Sequence, residues 1–315
     1  MPQRAPRWKP EAMTSAIARG VVVPLLTPFN DDMSIATDLY AAHAKWLLEQ
    51  GCAGLAPFGT TGEALSVGID ERIGAIESLV ADGIDPALMI PGTGLSNVAD
   101  TARLSRACLD LGCAAVMTLP PFYYKAVSDD ALYRYFVQLV EAIGNDARIF
   151  LYHIPPIAIV GISPALAARL HEAYPDNFVG IKDSSGDFDN TRRLFAIEGL
   201  IVYPGSELPL VDALDLGGPG CISATANLNA KAITDVVTLY DSGDVEAARA
   251  RQDSLKRFRK MVEAQGPIPA QKRLLAIASG DRRWANVRPP LTPLPEAAGE
   301  ELAAQLRDEF GALEY

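Results

Sequence analysis

Short, nearly unbroken apolar runs recur along the chain. Each is followed by a stretch in which apolar positions return every three or four residues. The runs cover residues 21–26, 54–58, 87–91, 114–119, 148–152, 178–181, 200–203 and 220–224. Runs this short, bounded by turn residues, read as strands buried on both faces. The stretches between them, residues 37–50, 70–81, 97–111, 128–143, 163–173, 189–197, 208–216 and 227–241, read as amphipathic helices. Ser128 and Ser163 stand where helix N-caps belong, with Pro164 at a tolerated first position. Gly51, Gly112 and Gly144 stop three helices.

Alternating strands and helices predict an α/β protein with a parallel sheet. Eight units in about 225 residues suit a closed (β/α)8 TIM barrel better than an open doubly wound sheet. No Gly-x-Gly-x-x-Gly follows the first run, where a dinucleotide fold needs it. Gly92-Thr-Gly94 is too short to cradle a phosphate. Residues 17–241 are assigned to the barrel. Residues 242–315 carry helical patterns at 245–264, 268–279 and 294–310 and are expected to form a helical region packed on the barrel. Residues 1–16 are basic and proline-punctuated without a signal peptide's apolar core, and read as a flexible N-terminal arm.

Composition narrows the chemistry. Of 315 residues, 28 are Lys or Arg and 39 are Asp or Glu, a formal net charge of −11. This acidic balance argues against nucleic acid or anionic membranes as partners, since both need clustered cations. The most apolar window, residues 149–162, is interrupted by His153, Pro155 and Pro156, so no membrane span is expected. Cys52, Cys108, Cys113 and Cys221 are scattered with no Cys-x-x-Cys, which suits reduced thiols in a cytoplasmic protein. His43, His153 and His171 show no metal-ligand spacing.

A barrel of this type carries its active site at the C-terminal ends of its strands. Eight lysines are present, and only Lys182 continues an apolar strand. An amine at the end of a buried strand sheds water, which favours the neutral nucleophile and attack on a carbonyl. The same position would suit a lysine reaching to solvent or paired with Asp183. The turn Thr60-Thr61-Gly62 offers two hydroxyls and adjacent N–H groups, enough to hold a carboxylate without a cation; an ordinary turn is the plainer reading. Tyr152 and Tyr123 are phenols that could pass protons or simply line the rim.

Taken together, Leu26-Thr-Pro-Phe29, Gly59-Thr-Thr-Gly-Glu63, Pro121-Phe-Tyr-Tyr124, Leu151-Tyr-His-Ile-Pro155, Gly180-Ile-Lys-Asp-Ser-Ser-Gly186 and Gly220-Cys-Ile-Ser-Ala-Thr-Ala-Asn227 carry a resemblance. The chain resembles the dihydrodipicolinate synthase / N-acetylneuraminate lyase superfamily of Schiff-base aldolases, from about Gly20 onward. The resemblance implies a barrel with a helical C-terminal region, usually a homotetramer built as a dimer of dimers, and no metal or organic cofactor. It implies that Lys182 forms an imine with a 2-oxo acid such as pyruvate, with Tyr152 as general acid/base. Thr61 would hold the acid's carboxylate and Thr60 would relay protons. A second relay phenol would come from a neighbouring subunit. Counting from Pro121 gives Tyr123, and counting back from Ser128 gives Tyr124; the ungapped count favours Tyr123. Gly205 and Ile222 match backbone positions lining the pocket.

One departure bears on substrate. The synthase branch carries an arginine five residues after the tyrosine, for its aldehyde's carboxylate. Ile157 stands there, and no Arg or Lys occurs between Tyr152 and Val160. Replacing a planar cation with an apolar side chain is not conservative. The expected activity is a lyase or aldolase acting on a 2-keto-3-deoxy or 4-hydroxy-2-oxo acid. A hydro-lyase working through the same imine, the synthase activity itself, and a catalytically idle barrel with a binding role are the alternatives. Ser184, Ser185, Ser206 and Glu207 are candidates for binding substrate hydroxyls.

Overall fold

The computed structural model of the protein describes residues 19–144, 146–313 and 315. The predicted N-terminal arm lies outside the described residues. The described residues form seven strands: β1 (Gly20–Val23), β2 (Gly54–Leu55), β3 (Val116–Thr118), β4 (Ile149–His153), β5 (Phe178–Asp183), β6 (Ile201–Pro204) and β7 (Gly220–Ile222). All pair in parallel, in the orders β2-β1-β7 and β3-β4-β5-β6. β6 lies alongside β7 without a ladder.

The predicted strand at residues 87–91 needs correction. Pro86–Leu88 form a 3-10 turn capped by the Asp85 carboxylate, and only isolated bridges follow, Met89 to Leu55 and Gly92 to Met117. Two prolines explain the interruption, because Pro86 and Pro91 have no N–H for a ladder. The segment still acts as a stave. Ile90 N–H donates to Leu55 O (2.8 Å), Gly92 N–H to Pro57 O (2.7 Å) and Met117 N–H to Pro91 O (2.8 Å). A Cβ at Gly92 would stand 2.2 Å from Phe58 O, so this stave can approach β2 only as glycine. With it the staves number eight and the sheet closes into a TIM barrel.

The helices match the periodic stretches: α1 (Thr37–Glu49), α2 (Ile69–Ala81), α3 (Val98–Asp110), α4 (Asp129–Ile143), a one-turn α5 (Pro155–Ala158), α6 (Pro164–Ala173), α7 (Phe188–Phe195), α8 (Leu210–Asp215) and α9 (Ala226–Ser242). Ser128 Oγ accepts from Ala131 N–H and Ser163 Oγ from Leu166 N–H, as the capping pattern predicts. α10 (Val245–Glu263), α11 (Pro267–Ser279) and α12 (Glu296–Phe310) follow. They share a core of Leu228, Phe258, Leu274, Trp284 and Leu302 that also takes in Leu26 from the loop after β1. Among the described residues no helix is long and apolar enough to cross a membrane.

Strand parity divides the remaining core. Val21, Val23, Ile149, Leu151 and Ile181 face the helices, while Val22, Phe150, Tyr152, Tyr203 and Ile222 face the barrel interior. The interior positions of β5 are therefore Gly180 and Lys182. A Cβ at Gly180 would meet the Phe150 ring at 2.3 Å, so glycine lets Phe150 fill the interior one layer down the strand from Lys182.

Candidate active site

Parity turns the last interior positions of β4 and β5 toward the barrel mouth. Tyr152 and Lys182 are direct register partners, and Lys182 pairs onward with Tyr203. Lys182 is 4% exposed and Tyr152 3%. Lys182 Nζ lies 4.5 Å from the centroid of the Tyr152 ring, over its electron-rich face. The Tyr152 hydroxyl lies 3.3 Å from Thr60 Oγ1. These three side chains, with Thr61 and Gly205, line a cavity of about 610 Å³. Ile222 is not among the lining residues: β7 ends at it with interior parity, and it packs in the cluster with Val22 and Tyr203. Tyr123 lies outside the cavity, 76% exposed, with its ring edge-on to Tyr124 at 5.7 Å.

The Gly59–Gly62 loop is bracketed by two non-glycine residues in the left-handed region, Phe58 (φ 55°) and Glu63 (φ 54°). Such conformations persist only where the surroundings hold them. Thr27 Oγ1 donates to Gly62 O at 2.8 Å. Glu63 Oε1 accepts from Lys272 Nζ at 2.6 Å, and its Oε2 accepts from Arg288 N–H at 2.9 Å. Lys272 Nζ also donates to Thr27 O at 2.8 Å. Lys272 is fully buried, and burial pulls its pKa down to about 8 against the opposing pull of Glu63. Arg72, also buried, donates to Val67 O (3.0 Å) and Ala64 O just beyond the loop. Inside the turn, Gly62 and Glu63 N–H groups donate to Gly59 O and Thr60 O. The donors this turn leaves for a ligand are therefore the threonine hydroxyls and the threonines' own N–H groups. Sequence reasoning missed Lys272 and Arg72. Each lies in step with buried apolar residues of its helix, Leu275 and Ala276 for Lys272, Ala75, Ile76 and Leu79 for Arg72.

Asp183 does not pair with Lys182. Its Oδ1 accepts from Ser185 N–H (2.9 Å), and its Oδ2 accepts from Thr191 Oγ1 (2.7 Å) and Asn190 Nδ2 (3.0 Å), which ties the strand end to α7. His153 Nδ1 accepts from Ile162 N–H at 2.7 Å. Burial holds this imidazole below its ordinary pKa, despite Asp183 nearby. The neutral ring pins residues 154–162 over the cavity. Of the four candidates for substrate hydroxyls, Ser184 and Ser206 line the cavity. Ser185 instead turns outward to the backbone of Asp187. Glu207 is fully buried, accepting from Thr225 Oγ1 (2.7 Å), Arg259 Nη1 (2.8 Å) and Ser223 Oγ, so it is a strut rather than a ligand-binding group. All four cysteines are buried, with thiol pKa values pushed up by desolvation, Cys52 and Cys113 to about 12. Buried thiols of this kind are poor nucleophiles.

A second cavity of about 370 Å³ adjoins the first and shares Thr60, Tyr152, Ile154, Ile157 and Ile268 with it. Its walls are mainly apolar, including Phe58, Met117, Leu119 and Phe122.

Known proteins agree with this architecture. The model of the dihydrodipicolinate synthetase family matches residues 17–309. An uncharacterized DapA-like lyase from Chloroflexus aurantiacus is 35% identical over 291 residues, 91% of this chain and 94% of that protein. The crystal structure of dihydrodipicolinate synthase from Agrobacterium tumefaciens superposes with a TM-score of 0.81 at 32% identity, covering 93% of this chain and 99% of the other. YagE, a prophage protein of the same family from E. coli K12 solved in complex with pyruvate, gives a TM-score of 0.84 at 26% identity, covering 92% and 98%. With relatives aligned over nearly their whole length and a family match that takes in every strand-end loop described above, the chain belongs to the dihydrodipicolinate synthetase family.

Proposed function

We propose that the protein is a Schiff-base-forming lyase or aldolase whose substrate is a 2-oxo acid of the pyruvate type. The observation that carries this reading is the placement of a buried Lys182 amine beside the Tyr152 phenol and Thr60 at a barrel mouth. Family membership and a pyruvate-bound family neighbour support it.

Lys182 Nζ attacks C2 of the 2-oxo acid and water leaves. The Thr60–Thr61 loop fixes the inner carboxylate, so that C2 meets the amine as an effectively intramolecular partner. The iminium draws electrons from C3. Cleavage of the C3–C4 bond then releases an aldehyde, and the enamine is protonated and hydrolysed to the smaller acid; the reverse sequence adds the enamine to an aldehyde. Tyr152, hydrogen-bonded to Thr60, carries the proton to and from the reacting atoms. The neighbouring apolar cavity has room for a phenol beside Thr60 and Tyr152, and Tyr123 of a second copy, exposed on its own chain, is the group assigned to it. Ile157 in place of a cation disfavours the synthase activity.

Borohydride reduction with pyruvate, read by intact mass, tests the imine. The parent chain is expected to gain one reduced adduct and Lys182→Ala none; equal labelling of both would overturn the assignment. Tyr152→Phe is expected to keep the site but lower turnover by about 10²–10⁴-fold. Product analysis then separates a lyase, which releases pyruvate and an aldehyde, from a hydro-lyase, which releases water.

A further inference from the structure

The outer part of the 610 Å³ cavity has a charge pattern that the imine chemistry does not use. Its lining holds two cations, Lys182 and Arg259, and three carboxylates, Asp183, Asp212 and Glu263. Arg259 is already committed, donating to Glu207 and to Glu263 at 2.8 Å each. Asp183 is held by α7 and its preceding turn, and Asp212 pairs with Arg249 at 2.8 Å. Once Lys182 is an iminium facing the inner carboxylate, no unpaired cation lines the cavity among the described residues. A second carboxylate on the substrate would lose water there and find three carboxylates and no cation left to pair with it, Arg259 being already committed.

What the outer wall does offer is apolar surface. Ile154, Ile157, Phe188, Leu208 and Ile268 converge on it. Ile157 is 61% exposed and Leu208 38%, large aliphatic side chains left facing the cavity mouth. Resting on the imine reading of Lys182, we propose that the distal part of the substrate is uncharged and apolar, and that Ile157 and Leu208 set this preference. The outer cavity is thus a site for a hydrocarbon or aromatic tail on the 2-oxo acid, or on the aldehyde joined to it.

Borohydride trapping with a chosen set of 2-oxo acids tests this without knowledge of the natural reaction. Pyruvate reports the imine alone. 4-Phenyl-2-oxobutanoate places an apolar tail in the outer cavity, and 2-oxoadipate places a second carboxylate there. In each adduct Nζ displaces the carbonyl oxygen as water, and borohydride delivers hydride to the C=N bond. The expected result is labelling by 4-phenyl-2-oxobutanoate at concentrations at least about tenfold below those needed for 2-oxoadipate. Ile157→Arg is expected to move that ratio toward 2-oxoadipate by about tenfold, and Leu208→Arg, on a separate loop, to move it the same way. Circular dichroism establishes that each variant is folded, and the second covers failure of the first. Pyruvate labelling with 2-oxoadipate equal to or better than the apolar acid overturns this inference and leaves the imine intact. A ratio unmoved in both folded variants overturns the roles of Ile157 and Leu208. Absence of pyruvate labelling overturns the imine itself, and this inference with it.

Discussion

Glu63 and Lys272 hold the loop that carries Thr60 and Thr61 from outside the reacting centre. Both are fully buried at their charged ends, and together with Thr27 and Arg288 they fix a residue in the left-handed region. A buried pair of this kind is weak evidence of net stabilisation, but removing one partner strands the other charge. Glu63→Gln is therefore expected to cost about 3–5 kcal/mol, seen as a lowered urea midpoint, whereas Glu63→Leu combined with Lys272→Met recovers a large part of it. A single variant as stable as the parent chain would show that the loop holds itself. The two lysines also show what residue-level reading could reach. Lys182 was legible because a cation interrupting an apolar strand breaks the pattern. Lys272 interrupts a helix instead, where charged residues are common, and only its alignment with Leu275 and Ala276 distinguishes it.

At the level of elements, the seam between β1 and β7 is closed by one side chain beyond the strands. Asn227, at the start of α9, donates to Pro24 O (2.9 Å) and Ala224 O (2.8 Å), and its Oδ1 accepts from Leu26 N–H (3.1 Å). With both its N–H groups so used, the Asn227 oxygen must also accept from His43 Nε2, 2.9 Å away on α1. His43 is thus neutral with its proton on Nε2, and its buried Nδ1 has no partner among the described residues. Desolvation lowers its pKa to about 4, against the upward pull of Asn227. The sign follows from linkage: below about pH 6.5 the unfolded chain binds a proton that the folded chain refuses, so stability falls as pH drops toward 4, by about 3 kcal/mol in all. His153, also held below its ordinary value, adds in the same direction. Urea midpoints measured from pH 7 to pH 4 are expected to fall for the parent chain and to fall less steeply for His43→Gln, which keeps a donor for Asn227. Parallel slopes would remove His43 from the clasp. Most elements were legible in advance because period and caps agreed, as at Ser128 and Ser163. The exception was the third stave, whose apolar run looks like a strand although its prolines deny it a ladder. The clasp was not legible, because Asn227 and His43 are 184 residues apart and meet only when the barrel closes.

For the whole molecule, a net charge of −11 coexists with a site proposed to take an anion. The conflict is local and is resolved locally: in the proposed reading, hydroxyls and N–H groups at Thr60 and Thr61 take the inner carboxylate, while the nearby acids are already paired. A single chain leaves one part of the proposed machinery unplaced. Its Tyr123 points away from its own cavity, and an apolar cavity of about 370 Å³ lies open beside Thr60 and Tyr152. In a two-fold dimer a phenol given to the neighbour is also received from it, because the same surface serves both partners. Two crippled chains should then repair each other. Lys182→Ala lacks the amine but can lend its Tyr123; Tyr123→Phe lacks the phenol but keeps its Lys182. In a hybrid dimer one site holds both defects and the other holds neither. Equal co-expression of the two variants, each nearly inactive by itself, is expected to restore about a quarter of the parent activity, since half of randomly paired dimers are hybrids with one intact site of two. The mixture is read by pyruvate-dependent turnover after subunit exchange is verified by native mass spectrometry. Verified hybrids without recovery would place the relay phenol within the chain, whereas a Tyr123→Phe chain that is active by itself would move the role to Tyr124, checked by repeating the pairing with Tyr124→Phe.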